Sequence, residues 1–293
     1  EGVVMRILAS GGAMPMEKMN LAPSNRARLE DMIKKPHGIL LVVGPTGSGK
    51  TTTLHAILGY LNTPEKKIWT AEDPVEITQP GLQQVQVSPK IGFTFANALR
   101  AFLRADPDII LIGEMRDKET AHAGIEASLT GHLVLSTLHT NSAPETITRL
   151  LDLGLDPVNF SDACVGILAQ RLIRTLCKQC KEKYVASESG VAFIKRQYGN
   201  DFIEELKLPA SLSLFRANGC EECGHTGYKG RTGVHELLGM TPELRSLVYK
   251  EASVAQMKQQ AAKDGMRTLA QDAILKVLKG DTDIAQVQIV SGE

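Results

Sequence analysis

The sequence predicts an α/β fold: a parallel sheet covered by helices on both faces, followed by a cysteine-bounded element and a helical C-terminal subdomain. Three observations carry this. From Gly38 to about Gln170 short apolar runs alternate with helix-like stretches, the pattern of strands joined by helical crossovers. A glycine-rich turn of the form G-x-x-x-x-G-K-[ST] stands between the first of these apolar runs and the first helix. Two C-x2-C pairs then bound a segment of different character.

In chain order, residues 3–8 (Val-Val-Met-Arg-Ile-Leu) form a strand-like run, and residues 24–34 are helical. One strand makes no sheet. The chain opens at Glu1 without a basic-then-apolar leader, so residues 1–35 are expected to be the end of a preceding domain plus linker, with more sequence upstream. The core is expected over residues 36–170. It comprises a buried strand at 39–43, a helix at 50–60, a strand at 67–72, and a helical face of Phe95, Leu99, Phe102 and Leu103. A strand at 108–113 follows, then a helix with apolar Ala121, Ile125 and Leu129 ending at Gly131, a strand at 133–138, and a helix between Pro144 and Gly154. Residues 157–176 read as one long helix with Phe160, Ile167 and Leu168 on its apolar side. A cysteine-bounded insert is expected over 171–236. Thr241-Pro242-Glu243 supplies a cap, a first-turn proline and an acidic residue, opening a mostly helical subdomain over 237–293.

At 293 residues, 43% apolar and 23% charged, the chain can bury a core without disulfides. Basic and acidic residues balance at 33 each, aromatics are 4%, and no Lys/Arg run with interleaved aromatics occurs, so no nucleic-acid partner is expected. The strongest central apolar run, residues 39–43, is far short of the ~20 a spanning helix needs, so no membrane insertion is expected.

The glycine-rich turn is Gly44-Pro45-Thr46-Gly47-Ser48-Gly49-Lys50-Thr51. Its glycines let successive backbone N–H groups turn inward around phosphate oxygens, the helix N-terminus adds partial positive charge, Lys50 reaches the β and γ phosphates, and Thr51 offers a hydroxyl to Mg2+. In an open parallel sheet, ligands bind beyond the carboxyl ends of the strands. Glu72, Glu114 and His139 each end an apolar run and are placed on the same edge as this loop, whereas Asp108 starts its run and is placed on the opposite edge. Phosphoryl transfer to water needs a carboxylate to orient or deprotonate the attacking water. Glu114 is the first candidate, with Glu72 holding Mg2+ or that water, and the two roles could be exchanged. His139 is a candidate sensor of the γ phosphate; His132, at the start of the same run, reads as structural.

Cys177-x-x-Cys180 and Cys220-x-x-Cys223 are separated by 39 residues. Four thiolates in two close pairs suit a closed tetrahedral Zn2+ site, with two disulfides as the rival in an oxidising compartment. Cys164 is left over as a small core residue on an apolar helix.

With these motifs together the chain resembles, over essentially its whole length, the assembly ATPases of type IV pili and type II secretion. The loop at 44–51 is similar to the family's Walker A motif, and Thr70-Ala71-Glu72-Asp73-Pro74-Val75-Glu76 to its Asp box. Leu111-Ile112-Gly113-Glu114-Met115-Arg116-Asp117 is similar to its atypical Walker B, and Thr130-Gly131-His132 through Leu138-His139-Thr140-Asn141 to its His box. The resemblance implies a RecA-like P-loop core and a homohexameric motor that hydrolyses ATP at the cytoplasmic face of the inner membrane. It also implies partners, an inner-membrane platform protein and docking proteins, and arginines of a preceding domain that reach the nucleotide, Arg6 occupying one matching position. Through the tetracysteine element and Gly227-Tyr228-Lys229-Gly230-Arg231-Thr232-Gly233, which are similar to segments of the family's assembly members, the resemblance implies assembly rather than retraction, read as pilus extension with type II secretion as the alternative. A DNA-translocating ATPase and a nucleotide-gated scaffold are the readings from other classes.

Overall fold

The computed structural model describes residues 12–292, so the strand-like run at 3–8 and Arg6 lie outside the described residues. The described elements are α1 (Pro23–Ile33), β1 (Gly38–Val43), α2 (Lys50–Leu61), β2 (Ile68–Glu72), β3 (Leu82–Gln86), α3 (Phe95–Phe102), β4 (Ile109–Ile112), α4 (Lys118–Leu129) and β5 (Leu133–Leu138). They continue with α5 (Ala143–Asp152), α6 (Pro157–Ala163), β6 (Cys164–Leu176), β7 (Glu182–Val185), α7 (Glu188–Tyr198), β8 (Ser213–Arg216), β9 (Tyr228–Gly239), α8 (Pro242–Tyr249), α9 (Val254–Lys263), α10 (Leu269–Lys279) and α11 (Ile284–Ser291). Strands run in the order β3-β2-β4-β5-β1-β6-β9. The pairings from β3 through β6 are parallel.

The chain groups into two units. The first contains Pro23–Ala169, Leu237–Met266 and the described residues up to Met19; the second contains Asn20–Ala22, Gln170–Glu236 and the residues from Arg267 onward. Residues after 236, read from sequence as one helical subdomain, therefore divide between them: α8 and α9 belong to the first unit, α10 and α11 to the second.

In the first unit β1 is buried at all six residues, as a central strand covered on both faces must be. Alternate side chains Ile39, Leu41 and Val43 join Ile110, Ile112, Val134, Leu138 and Phe160 in one apolar cluster. Fully burying each such side chain contributes about 1.5–3 kcal/mol, so the strand ends that carry the site are held by the least yielding part of the fold. Helices α3, α4 and α5 begin at Thr94, Asp117 and Ser142, whose side chains accept from the backbone N–H three residues on.

One sequence expectation is overturned here. Residues 157–176 are not one helix: α6 ends at Ala163, and Cys164 opens the thirteen-residue strand β6, parallel to β1. The first seven residues of β6 are all buried, so the period-2 alternation that marks a half-exposed strand is missing, and a continuous apolar run reads equally as a buried helix. Leu129, expected on the apolar side of α4, is 45% exposed.

The second unit has its own core, with Phe193, Ile194 and Tyr198 of α7 packed with Leu214 of β8, Val234 of β9, and Ile274, Val277 and Val287 from α10 and α11. Its two-stranded sheet pairs β7 and β8 antiparallel.

Candidate functional site

The loop between β1 and α2 follows the most buried strand of the sheet. Gly47 and Gly49 adopt φ of 78° and 88°, left-handed conformations that L side chains rarely adopt. Gly49 is the N-cap of α2 and carries no side chain to cap it, so the backbone N–H groups of the first turn are left for a ligand. Lys50 Nζ donates to the carbonyls of Gly44 at 2.8 Å and Pro45 at 3.2 Å, which lays its ammonium across the loop. Burial pulls the Lys50 ammonium below its usual range, while the charge of Glu114 opposes the shift.

Glu114 follows β4 by two residues. Three bonds fix that turn: Gly113 N–H donates to Ala71 O at 2.8 Å, Met115 N–H to Thr137 O at 3.0 Å, and Thr137 Oγ1 to Gly113 O at 2.8 Å. The Glu114 carboxylate meets Arg116 Nη2 at 2.7 Å on one oxygen and His139 Nε2 at 3.2 Å on the other. The pairing with Glu114 pushes the Arg116 guanidinium up, so this arginine remains charged. β4 and β5 are neighbours, which is why the residues that end them touch.

Glu72, the last residue of β2, is buried and faces a different set of partners. Thr70 Oγ1 donates to its Oε1 at 2.7 Å and Gln84 Nε2 to the same oxygen at 3.0 Å, while His55 Nε2 lies 3.0 Å from Oε2. Burial acts to raise this carboxyl, but the three hydrogen bonds outweigh it and hold Glu72 below the ordinary carboxylate range. Asp108 lies before β4 and accepts from the Lys67 N–H at 2.7 Å. His132 Nδ1 lies 2.9 Å from Ala127 O, at the end of α4.

The structure therefore brings Glu114 and His139 together, and gives Glu72 a separate network. Sequence reasoning missed His55, Gln79, Gln84 and Arg116. Only Arg116, inside a quoted motif, had a signal that could have singled it out.

In the second unit Cys177, Cys180, Cys220 and Cys223 converge, with all four sulfurs within 4.8 Å of one another. Cys177 and Cys220 sulfurs are 3.9 Å apart, and the Cys180–Cys223 and Cys220–Cys223 pairs 3.8 Å. Tetrahedral Zn–S bonds of about 2.3 Å space sulfurs about 3.8 Å apart, so the set fits zinc, whereas a disulfide needs about 2.05 Å. Backbone N–H groups of Gly219 and Gly227 donate to the sulfurs of Cys180 and Cys223, the outer contacts that thiolate ligands use. Cys164 is buried in β6, apart from this cluster.

A sequence model of the family described as Type II/IV secretion system protein matches residues 1–289. The chain is 46% identical over 295 residues to Type II secretion system protein E of Pseudomonas aeruginosa, covering 100% of this chain and 56% of that protein. It is 45% identical over 288 residues to the type IV pilus assembly ATPase PilB of Thermus thermophilus, covering 98% of this chain and 32% of that protein. It spans about half the length of the type II secretion relatives it matches. Among solved structures it resembles the pilus retraction motor PilT with bound ADP, with a TM-score of 0.70, 26% identity, and coverage of 98% of this chain and 69% of that one. A likeness in fold to the Legionella pneumophila ATPase DotB has a TM-score of 0.67 at 24% identity, over 96% of this chain and 66% of that one.

Proposed function

The chain belongs to the Type II/IV secretion system protein family, and on that premise we propose that it hydrolyses ATP to drive extension of a type IV pilus from the cytoplasmic face of the inner membrane. Assembly of a type II secretion pseudopilus is the alternative, since relatives bear both names at similar identity. The observation that supports hydrolysis most strongly is that one sheet edge carries the phosphate loop, with Lys50, and the Glu114–His139 pair, with Glu114's charge acting on Lys50.

In this reading the loop at 44–51 holds the phosphates, Lys50 neutralises the β and γ oxygens, and Thr51 would hold Mg2+, which when bound supplies further neutralisation of charge on the transferring group. Glu114 takes the proton of the attacking water or orients it, His139 senses the γ phosphate through Glu114 Oε1, and Glu72 supports the arrangement from its buried network. The motor acts as a homo-oligomer, a hexamer, docked on an inner-membrane platform protein, with Arg6 reaching a nucleotide. Among the described residues no helix is long and apolar enough to cross a membrane. The tetracysteine cluster holds Zn2+ and supports the assembly direction.

Steady-state ATPase activity against protein concentration tests this, with Glu114→Gln as control. Activity per chain should rise with concentration and fall about 10²–10⁴-fold in the control, while ATP binding persists. Turnover retained in Glu114→Gln would remove Glu114 from the reaction.

A further inference from the structure

His55 lies on α2, the helix that begins with Lys50 and Thr51, and is fully buried. A buried imidazole on a helix ordinarily only satisfies a neighbour. This one is held on both ring nitrogens. Nε2 lies 3.0 Å from Glu72 Oε2, Nδ1 lies 2.8 Å from Gln79 Nε2, and the same Gln79 nitrogen is 3.0 Å from the His55 carbonyl oxygen.

These contacts determine where the ring proton sits. A carbonyl oxygen only accepts, so the Gln79 group facing it is the amide NH2. That NH2 can only donate to Nδ1, so Nδ1 is unprotonated and the proton is on Nε2, from which it is donated to Glu72. Turning the amide over would set oxygen against oxygen at the His55 carbonyl. Protonating Nδ1 would set N–H against NH2. The carboxylate is then also defined: Oε1 accepts from Thr70 and Gln84, Oε2 accepts from His55, and Oε2 retains one further acceptor direction.

We propose that His55, locked by Gln79 as the Nε2–H tautomer, is a positioning residue that fixes the rotation of the Glu72 carboxylate and ties it to the phosphate-binding helix. The inference rests on the ATPase reading above and deepens it. A displacement of α2 when its first turn engages phosphate moves Nε2 and, through it, Glu72. The carboxylate has no equivalent tie to α2 among the hydrogen bonds of its other partners, because Thr70 is on β2 itself and Gln84 is on the adjacent β3. The depressed titration of Glu72 agrees with three donors converging on an ionised group.

Long-range 15N–1H correlation on the full chain labelled at histidine nitrogen reads the tautomer directly. The expected spectrum shows His55 with its proton on Nε2, and the Gln79→Met variant loses that single pattern. In parallel, His55→Phe should lower kcat for ATP about 10-fold or more, the usual scale for outer partners of a site, with KM for ATP essentially unchanged. His55→Gln, whose side-chain amide can donate where Nε2 does, should recover most of the rate. If His55→Phe fails to fold, Gln79→Met carries the kinetic test, with a smaller loss of kcat in the same direction. A proton on Nδ1, or a doubly protonated ring, in the wild-type chain overturns the lock. Wild-type kcat in the variants, or a change confined to KM or melting temperature, overturns the positioning role. A wild-type chain that binds ATP without turning it over fails the parent reading and takes this role with it, whereas wild-type turnover with indifferent variants overturns His55 alone.

Discussion

Gly113 is where the proposed mechanism is most exposed to a single methyl group. It stands between β4 and Glu114, donates to Ala71 O at 2.8 Å and accepts from Thr137 Oγ1 at 2.8 Å. A β-carbon at this position would lie 3.1 Å from Ala71 O and 3.2 and 3.3 Å from Cε1 and Cζ of Phe95. Carbon contacts are comfortable at about 3.5–4.0 Å, so a neighbour must move by a few tenths of an ångström. The Ala71 carbonyl cannot retreat without loosening β2 from β4, since it accepts Gly113's own N–H. Phe95, half-buried in the first turn of α3, is the group that can give. Gly113→Ala should therefore cost about 1–2 kcal/mol as modest overpacking, or a few degrees of melting temperature at this size. The larger effect falls on Glu114. A displacement of 1 Å can cost about 100-fold in rate, so a shift of a few tenths should lower kcat about 4-fold. Nucleotide affinity should hold, because β1 and α2 carry the phosphate loop. Adding Phe95→Leu should make room and restore part of the rate. Steady-state ATPase assays, a nucleotide-binding titration and thermal unfolding of the three proteins decide it. Gly113→Ala with wild-type kcat, or a double variant no faster than the single one, refutes the reasoning.

Other predictions rest on the same structure. Elemental analysis should find one Zn2+ per chain, and stripping it with a chelator should cost several kcal/mol, read as a fall of about 10 °C or more in the melting temperature; an unchanged melting temperature after stripping would remove the zinc role. The Glu72 carboxyl titrates below its ordinary value of 4.5 in the folded chain, so the folded state binds fewer protons there than the unfolded one. Its contribution to stability is fully present above pH 4.5 and is lost as pH falls through the depressed value, so between pH 5 and 3 the urea midpoint of Glu72→Gln should fall less than that of the wild type; parallel falls would contradict the network. Phe160, fully buried in the first unit's core, should cost about 3–5 kcal/mol when replaced by Ala, measured by urea unfolding.

Strand existence was legible wherever an apolar run was short and bounded by turn residues: β1, β2, β4 and β5 fall within a residue of where pattern reading places them. It failed at the two extremes of burial. The first half of β6, residues 164–169, is too uniformly apolar to show alternation, and β3, with Gln83, Gln84 and Gln86, is an edge strand too polar to register as one. The cysteine spacing announced a four-sulfur cluster, but β7, β8 and α7 between the pairs carry no such signature. His55 was invisible for another reason: nothing in the local sequence of α2 separates a histidine with two defined partners from one that merely fills space.

What chain order could not supply is which strands are neighbours, and this divides the carboxylates. The edge rule put Glu72, Glu114 and His139 on one side of the sheet but left the two acids interchangeable. The sheet order β3-β2-β4-β5-β1 separates them. Glu114, leaving β4, has β5 beside it and so meets His139. Glu72, ending β2, has β3 on its other side and takes its second donor, Gln84, from there. A carboxylate enclosed by three donors is well oriented but has one acceptor direction left, whereas Glu114, paired with a partly exposed histidine and an exposed arginine, can change partners during a reaction. On that contrast we propose proton transfer for Glu114 and orientation for Glu72, which predicts unequal losses: Glu114→Gln should lower turnover about 10²–10⁴-fold, while Glu72→Gln, keeping the shape and one oxygen acceptor, should lower it less. The reverse ranking in a side-by-side ATPase assay would exchange the two roles.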